Sequence, residues 1–211
     1  VPHTLCYPNG SMVELVEEAA RNYPQHIAYH FLGTTATYEE LIDEILACAK
    51  ALKAIGIQPG ERVTVCLPNT PHAVLMFYAL NYIGALANMV HPLSGEEEIA
   101  FYINESESVA AITLSPFYAK FEAIRKKVQI RHLIIAHIDD YLSPLKRIGF
   151  RLTKGRKIKP IPKDAPVLHW KDFLRGGQSY AGSVRHRCKG EDPAVILYSG
   201  GTSGTTKGIL L

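Results

Sequence analysis

At 211 residues, with 47% apolar content, the chain is long enough for one domain with a full core and has the composition of an ordinary globular protein. No apolar run approaches the roughly 20 residues that span a bilayer, and no basic segment followed by an apolar run opens the sequence. The four cysteines (Cys6, Cys48, Cys66, Cys188) are scattered, without metal-type spacing, and a reducing, cytoplasmic setting is expected. The net charge of +3 divides unevenly: residues 1–145 hold 9 Lys/Arg against 16 Asp/Glu (−7), and residues 146–211 hold 14 against 4 (+10).

Three Ser/Thr-x-x-Glu patterns predict helix starts, because the first side chain can cap the N3 amide while the glutamate reaches back. Ser11 and Glu14 are expected to open a helix with Val13, Val16, Ala20 and Tyr23 on one face. Ile27–Leu32 and Thr34–Thr37 flank Gly33 as a hairpin. Thr37 and Glu40 open a longer helix, with Leu41, Ile45, Cys48, Leu52 and Ile55 inward and Gly56 as its stop. After Pro59-Gly60 comes a strand at Arg62–Leu67. Thr70 and Pro71 then stand as N-cap and N1 of a helix that ends near Gly84. A buried strand follows at Ala85–Val90, and Ser94 with Glu97 opens the third capped helix. Strand Val109–Leu114, helix Phe117–Val128 and strand Leu133–Ala136 complete the alternation. Apolar strands separated by amphipathic helices predict an α/β fold, a largely parallel sheet with helices on both faces. Cys48 and Cys66 fall inside apolar patterns and read as buried thiols.

Residues 137–190 differ in composition. Lys146, Arg147, Arg151, Lys154, Arg156, Lys157, Lys159 and Lys163 alternate with Leu145, Ile148, Phe150, Leu152 and Ile158, among four prolines. The segment reads as a basic insertion, either simply solvated or touching an anionic membrane or another acidic partner. Nucleic acid is disfavoured, since the segment has almost no aromatic platform for bases. Trp170 is expected to anchor its end in the core. His26, His30, His132 and His137 show no ligand spacing, and no metal site is expected. His91, before a proline, is a loop histidine whose bland reading is structural. No Ser, Cys or His arrangement argues for a nucleophile.

The richest stretch lies last: Tyr198-Ser199-Gly200-Gly201-Thr202-Ser203-Gly204-Thr205-Thr206-Lys207-Gly208. Glycines let backbone N–H groups approach an anion, and successive amides form a positively polarised nest. Ser199, Thr202, Ser203 and Thr205 can add O–H donors, and Lys207 a compact charge. The chemistry suits a polyphosphate. A flexible linker has a similar composition, but the strand-like Ala194–Leu197 leading in and Ile209-Leu210-Leu211 leading out argue against it. It is not a Walker A loop, which needs adjacent Gly-Lys and then Ser or Thr.

The stretch resembles the phosphate loop of the adenylate-forming (AMP-binding) superfamily, and its Gly200-Gly201 pair the fatty acyl-CoA ligase version. Thr206 stands where that family commonly has proline. Thr37-Tyr38-Glu39-Glu40-Leu41, Gly60-Glu61-Arg62-Val63, Leu67-Pro68-Asn69, Gly84-Ala85 and His91-Pro92-Leu93 are similar to the family's segments in the same order. The resemblance covers residues 1–136 and 191–211. It implies an ATP-dependent acyl-CoA synthetase that activates a fatty acid as acyl-adenylate and transfers it to coenzyme A, with Mg2+ as cofactor. By the same resemblance Lys207 would be catalytic, and Ser199, Gly200, Gly201, Thr202, Ser203, Gly204 and Lys207 would bind the nucleotide phosphates. Residues 1–211 would then be the N-terminal portion of an adenylation domain, with 137–190 a family-specific insertion. The family's adenine, ribose and Mg2+ groups would belong to a missing C-terminal part of the same chain, leaving this piece inactive alone. Its partners would be the carboxylic acid, ATP and coenzyme A, with a peripheral contact at the inner membrane face as a further reading. Two alternatives remain open: a ligase for aryl or amino acids, and a free-standing phosphate-binding module.

Overall fold

The computed structural model describes residues 9–199 and 206–211. Seven strands form one sheet in the order β7-β6-β5-β3-β4-β8-β9: β3 (Arg62–Cys66), β4 (Leu86–Met89), β5 (Ala110–Leu114), β6 (His132–Ala136), β7 (Leu168–His169), β8 (Val195–Ser199) and β9 (Lys207–Leu210). All neighbours run parallel except β8 and β9. A separate antiparallel hairpin joins β1 (Ile27–Phe31) to β2 (Thr34–Thr37). The expected α/β class with a largely parallel sheet is what forms.

Alternation along the central strands explains the layers. Val63 and Val65 of β3, with Ala110, Ile112 and Leu114 of β5, enter a core shared with α1 (Met12–Asn22), α2 (Tyr38–Ala54), α3 (Pro71–Tyr82) and α7 (Trp170–Gly177). Cys66 and Ala111 point the other way, into a second core against α4 (Glu96–Glu105) and α5 (Tyr118–Ile124). Parallel strands must be covered on both faces, and here they are.

Of the three capping boxes, Thr37 forms in full. Its hydroxyl accepts the Glu40 amide at 3.3 Å, and Glu40 Oε2 accepts the Thr37 amide at 2.8 Å. Ser11 precedes α1 but its side chain caps nothing. Glu14 is drawn instead to Arg185 at 3.2 Å, and the Val13 amide finds Asn81 Oδ1 at 2.9 Å. At the third, α4 begins one residue later than the pattern implies, with Gly95 as N-cap. There Glu97 pairs with Lys127, and the Ser94 carbonyl accepts Lys120 Nζ at 2.6 Å. α5 is also shorter than expected. A single 3-10 turn over Ser115–Phe117 precedes it, and it stops at Ile124. Gly56 ends α2 at φ 86°, the left-handed conformation glycine tolerates, and Ile57 N bonds back to Leu52 O at 3.0 Å.

The stretch 137–190 folds onto this frame. It supplies α6 (Pro144–Leu152), edge strand β7 and helix α7. Trp170 is 2% exposed and lies in the first core, as expected, with Phe173 beside it. α7 crosses α2 at Gly177, where an added Cβ would stand 2.5 Å from Ala51 N and 2.6 Å from its Cα. Backbone cannot give way as a side-chain tip can. Gly177→Ala is therefore expected to destabilise the chain by about 1–3 kcal/mol. Gly176→Ala, whose new methyl meets nothing within 4 Å, should range from neutral to about 1 kcal/mol more stable. Thermal or urea unfolding of the pair checks the crossing; equal effects would show that α7 does not approach α2 this closely.

Candidate functional site

β8 and β9 pair antiparallel at the carboxyl end of the sheet, with Tyr198 opposite Gly208 and Ser199 opposite Lys207. Of the expected phosphate-binding residues, Gly200, Gly201, Thr202, Ser203 and Gly204, and Thr205 with them, lie outside the described residues. Ser199 and Lys207 are described. Register places them across from one another at the two ends of the intervening stretch. Both are exposed, and Lys207 has no acidic partner among the described residues.

The end of β8 is held from beneath by Tyr102 of α4. Its ring stacks on Tyr198 at 3.9 Å between centroids, and the Tyr198 hydroxyl donates to the Tyr102 carbonyl at 3.1 Å. The Tyr102 hydroxyl donates to Glu98 Oε1 at 2.6 Å. The strand that leads into the glycine-rich stretch thus rests on one tyrosine. Burial, and then the Glu98 carboxylate, push the Tyr102 phenol above its ordinary value. Hydrogen bonds from Tyr102 and Ser94 lower that of Glu98. Below Tyr102 a buried polar seam continues: Asn88 Nδ2 lies 2.9 Å from Thr64 Oγ1, 2.8 Å from Ser106 Oγ and 3.2 Å from the Tyr102 carbonyl. Tyr102 stands in the sequence as an apolar-face residue; its seat under Tyr198 needed the parallel pairing of β4 with β8.

A second polar centre lies at the other side of the sheet. His72, in the first turn of α3, is fully buried, its Nε2 3.3 Å from Asp140 Oδ2 and its ring edge-on to Tyr141 and Trp170. The same Asp140 oxygen accepts the His137 amide at 2.8 Å, and His137 Nε2 lies 3.3 Å from His169 Nδ1. Burial works to raise the Asp140 carboxyl, but hydrogen bonds from His72 and the His137 amide outweigh it and hold the group below the usual range. Burial lowers His137. In the sequence His72 shows only as one histidine opening an otherwise apolar helix. His91 is an exposed turn-former, its Nδ1 accepting the Leu93 amide at 3.2 Å. Among the described residues no three His, Cys, Asp or Glu side chains converge on a metal-sized site.

Fold and site define a three-layer α/β protein whose strands β8 and β9 flank a glycine- and hydroxyl-rich stretch in the sequence. The chain belongs to the AMP-binding enzyme family, whose profile matches residues 16–211. It is 27% identical to a long-chain-fatty-acid–CoA ligase of Bacillus subtilis over 212 residues, which takes in 100% of this chain and 38% of that protein. It is 28% identical to the Haemophilus influenzae enzyme of the same name over 204 residues, 95% of this chain and 36% of that one. The chain thus spans well under half the length of these relatives. Among solved structures, an anthranilate CoA ligase in complex with anthranoyl-AMP superposes with a TM-score of 0.78 at 19% identity, over 97% of this chain and 35% of that one. A long-chain-fatty-acid–CoA ligase from Archaeoglobus fulgidus gives 0.72 at 22%, over 99% and 38%. At these identities the structures establish the fold alone.

The buried carboxylate gives a measurable handle. Asp140→Asn should cost about 1–3 kcal/mol at pH 7, since His72 loses its ionised partner inside the protein. A depressed carboxyl contributes stability above the unfolded pKa and loses it as pH falls through the folded one. The wild-type advantage in thermal midpoint should therefore shrink from about pH 5 toward about pH 3. A gap that stays constant over that range would show that ionisation of Asp140 does not matter.

Proposed function

We propose that this chain is the N-terminal portion of an ATP-dependent acyl-CoA synthetase, and that Ser199 to Lys207 hold the nucleotide phosphates. The observation that carries the reading is the β8–β9 register. It sets Lys207 opposite Ser199, at the end of β8 that rests on Tyr102, with no carboxylate neutralising the lysine among the described residues. Such a donor set fits a polyphosphate: hydroxyls, glycine amides and one mobile cation. ATP supplies the adenylyl group for the carboxylic acid, with pyrophosphate as the leaving group. Lys207 neutralises charge that grows on that leaving group, and the Tyr102 stack on Tyr198 fixes the end of β8 beside it. Among the described residues no carboxylates converge on a site for Mg2+; its ligands would lie in the rest of the protein, of which coenzyme A is a substrate. The names of the sequence relatives favour a long-chain fatty acid over an aryl or amino acid.

A second reading concerns location. Leu145, Ile148 and Leu152 of α6 are 81%, 58% and 58% exposed. They form one outward stripe in the chain's basic portion, which suits peripheral contact with an anionic bilayer. No helix among the described residues is long and apolar enough to cross one.

The main reading is tested by acid-dependent ATP–pyrophosphate exchange. The 211-residue chain alone should show none above blank. In a polypeptide extended to the relatives' length, Lys207→Ala should lower the adenylation rate about 10²-fold or more while weakening ATP binding far less. Full activity of that variant would end the assignment of Lys207.

A further inference from the structure

The carboxyl ends of β5, β6 and β7 open into a cavity of about 550 Å3, within the size range of small-molecule sites. Three strands separate β6 from β8 in the sheet, so at about 4.8 Å per step β6 lies about 19 Å from β8, whose end carries Ser199. Ligands of open α/β sheets gather at strand carboxyl ends, as here. α6 and the turn after it form one wall, and α7 the other.

Its charge is specific. Five cationic side chains line it against three carboxylates, a surplus of two. Each carboxylate is already engaged: Asp139 by Arg151 at 2.8 Å, Asp172 by Arg175 at 2.8 Å, and Asp140 by His72 and Lys171. Arg156 and Lys159 also line the cavity, and among the described residues neither has an acidic partner. Facing them at the strand ends are His137 and His169, 3.3 Å apart and stacked at 20°. Phe150 and Ile158 add apolar wall.

We propose that this cavity binds a phosphate monoester, with Arg156 and Lys159 neutralising the dianion and the His137–His169 pair supplying an imidazole N–H. A monoester carries about −1.5 to −2 at pH 7, which matches the surplus of two. A monocarboxylate leaves one cation unmatched, and a triphosphate brings more charge than the lining offsets. Arg156 offers the planar fork that phosphate oxygens accept. The apolar wall leaves room for the ester's organic part. The monoester can be a soluble metabolite or a phosphatidate headgroup presented beside the outward stripe of α6.

Phenyl phosphate is titrated calorimetrically into the 211-residue chain at low salt, with the thermal midpoint of every variant recorded. Saturable binding is expected, at least tenfold weaker in Arg156→Gln/Lys159→Gln and unchanged in Lys207→Ala. Both cations are exposed, so the double variant should keep the wild-type midpoint. Co-sedimentation with vesicles of phosphatidylcholine, with and without phosphatidate, separates the sources. Vesicle binding that needs phosphatidate and Arg156/Lys159 identifies the headgroup, and saturable phenyl phosphate binding alone identifies a soluble ester. Equal phenyl phosphate affinity in the double variant, loss in Lys207→Ala instead, or no saturable binding of either probe would overturn the proposal. Loss in Lys207→Ala would move phosphate binding to the glycine-rich stretch, and none of the three outcomes bears against the adenylation reading, which stands or falls on pyrophosphate exchange.

Discussion

β3 and β5 are buried on both faces, and that constraint governs what the rest of the chain can do. One face is aliphatic and takes helices α1, α2, α3 and α7. The other carries Thr64, whose hydroxyl cannot be left dry. Thr64 therefore bonds Ser108 at 2.8 Å as well as Asn88, and Asn88 in turn reaches the Tyr102 carbonyl. The polar seam costs the second core some apolar contact, yet it fixes α4 against the sheet. Tyr102 inherits that position and passes it to Tyr198. The glycine-rich stretch, made of residues that choose no conformation by themselves, is flanked by two strands whose spacing is set from three elements away.

Much of the frame was readable from residue order, because strands buried on both faces give unbroken apolar runs and turns carry Gly and Pro. Two of the expected capping boxes stayed open where a long-range partner outbid a local one, although α1 still starts after Ser11. Glu14 can cap the start of α1, but Arg185, 171 positions later, takes it. Glu97 is spaced to reach back to Ser94, but Lys127 is closer in space. Spacing along one helix holds no information about either rival. The phosphate reading proposed for the Ser199–Lys207 stretch rests on composition, which needs no long-range contact to be seen. His72, Asp140 and His169 come from α3, a 3-10 turn and β7, far apart in sequence, so no window of sequence could show that they meet.

The basic portion follows a logic that composition hides. The interleaving of basic and apolar residues does not say which side of α6 faces inward. Arg147 and Arg151 turn toward the protein: the Arg147 guanidinium donates to the carbonyls of Asp139 at 3.0 Å and of Asp140 and Leu142 at 3.3 Å, while Arg151 takes the Asp139 carboxylate. A 3-10 turn leaves carbonyls without internal donors, and a guanidinium with five N–H groups satisfies them better than a leucine could. The helix is consequently seated by its charged side, and its leucines face out.

Burial also sorts the thiols. Cys48 is sealed between α2 and α3, its Sγ 3.5 Å from Met76 Sδ, and burial drives its pKa far above the ordinary thiol value. Burial likewise pushes Cys66 up to about 12, against the opposing pull of Lys120. Cys188 is only half-buried, lying 3.8 Å from the Asn81 carbonyl at the end of α3. Thiolate, not thiol, reacts with alkylating agents. Among the three described cysteines, a maleimide dye would thus label Cys188 while the fold is intact, marking the seam between the C-terminal segment and α3. Labelling of Cys48 would wait for that helix pair to part, so its rate would time the opening of the whole core.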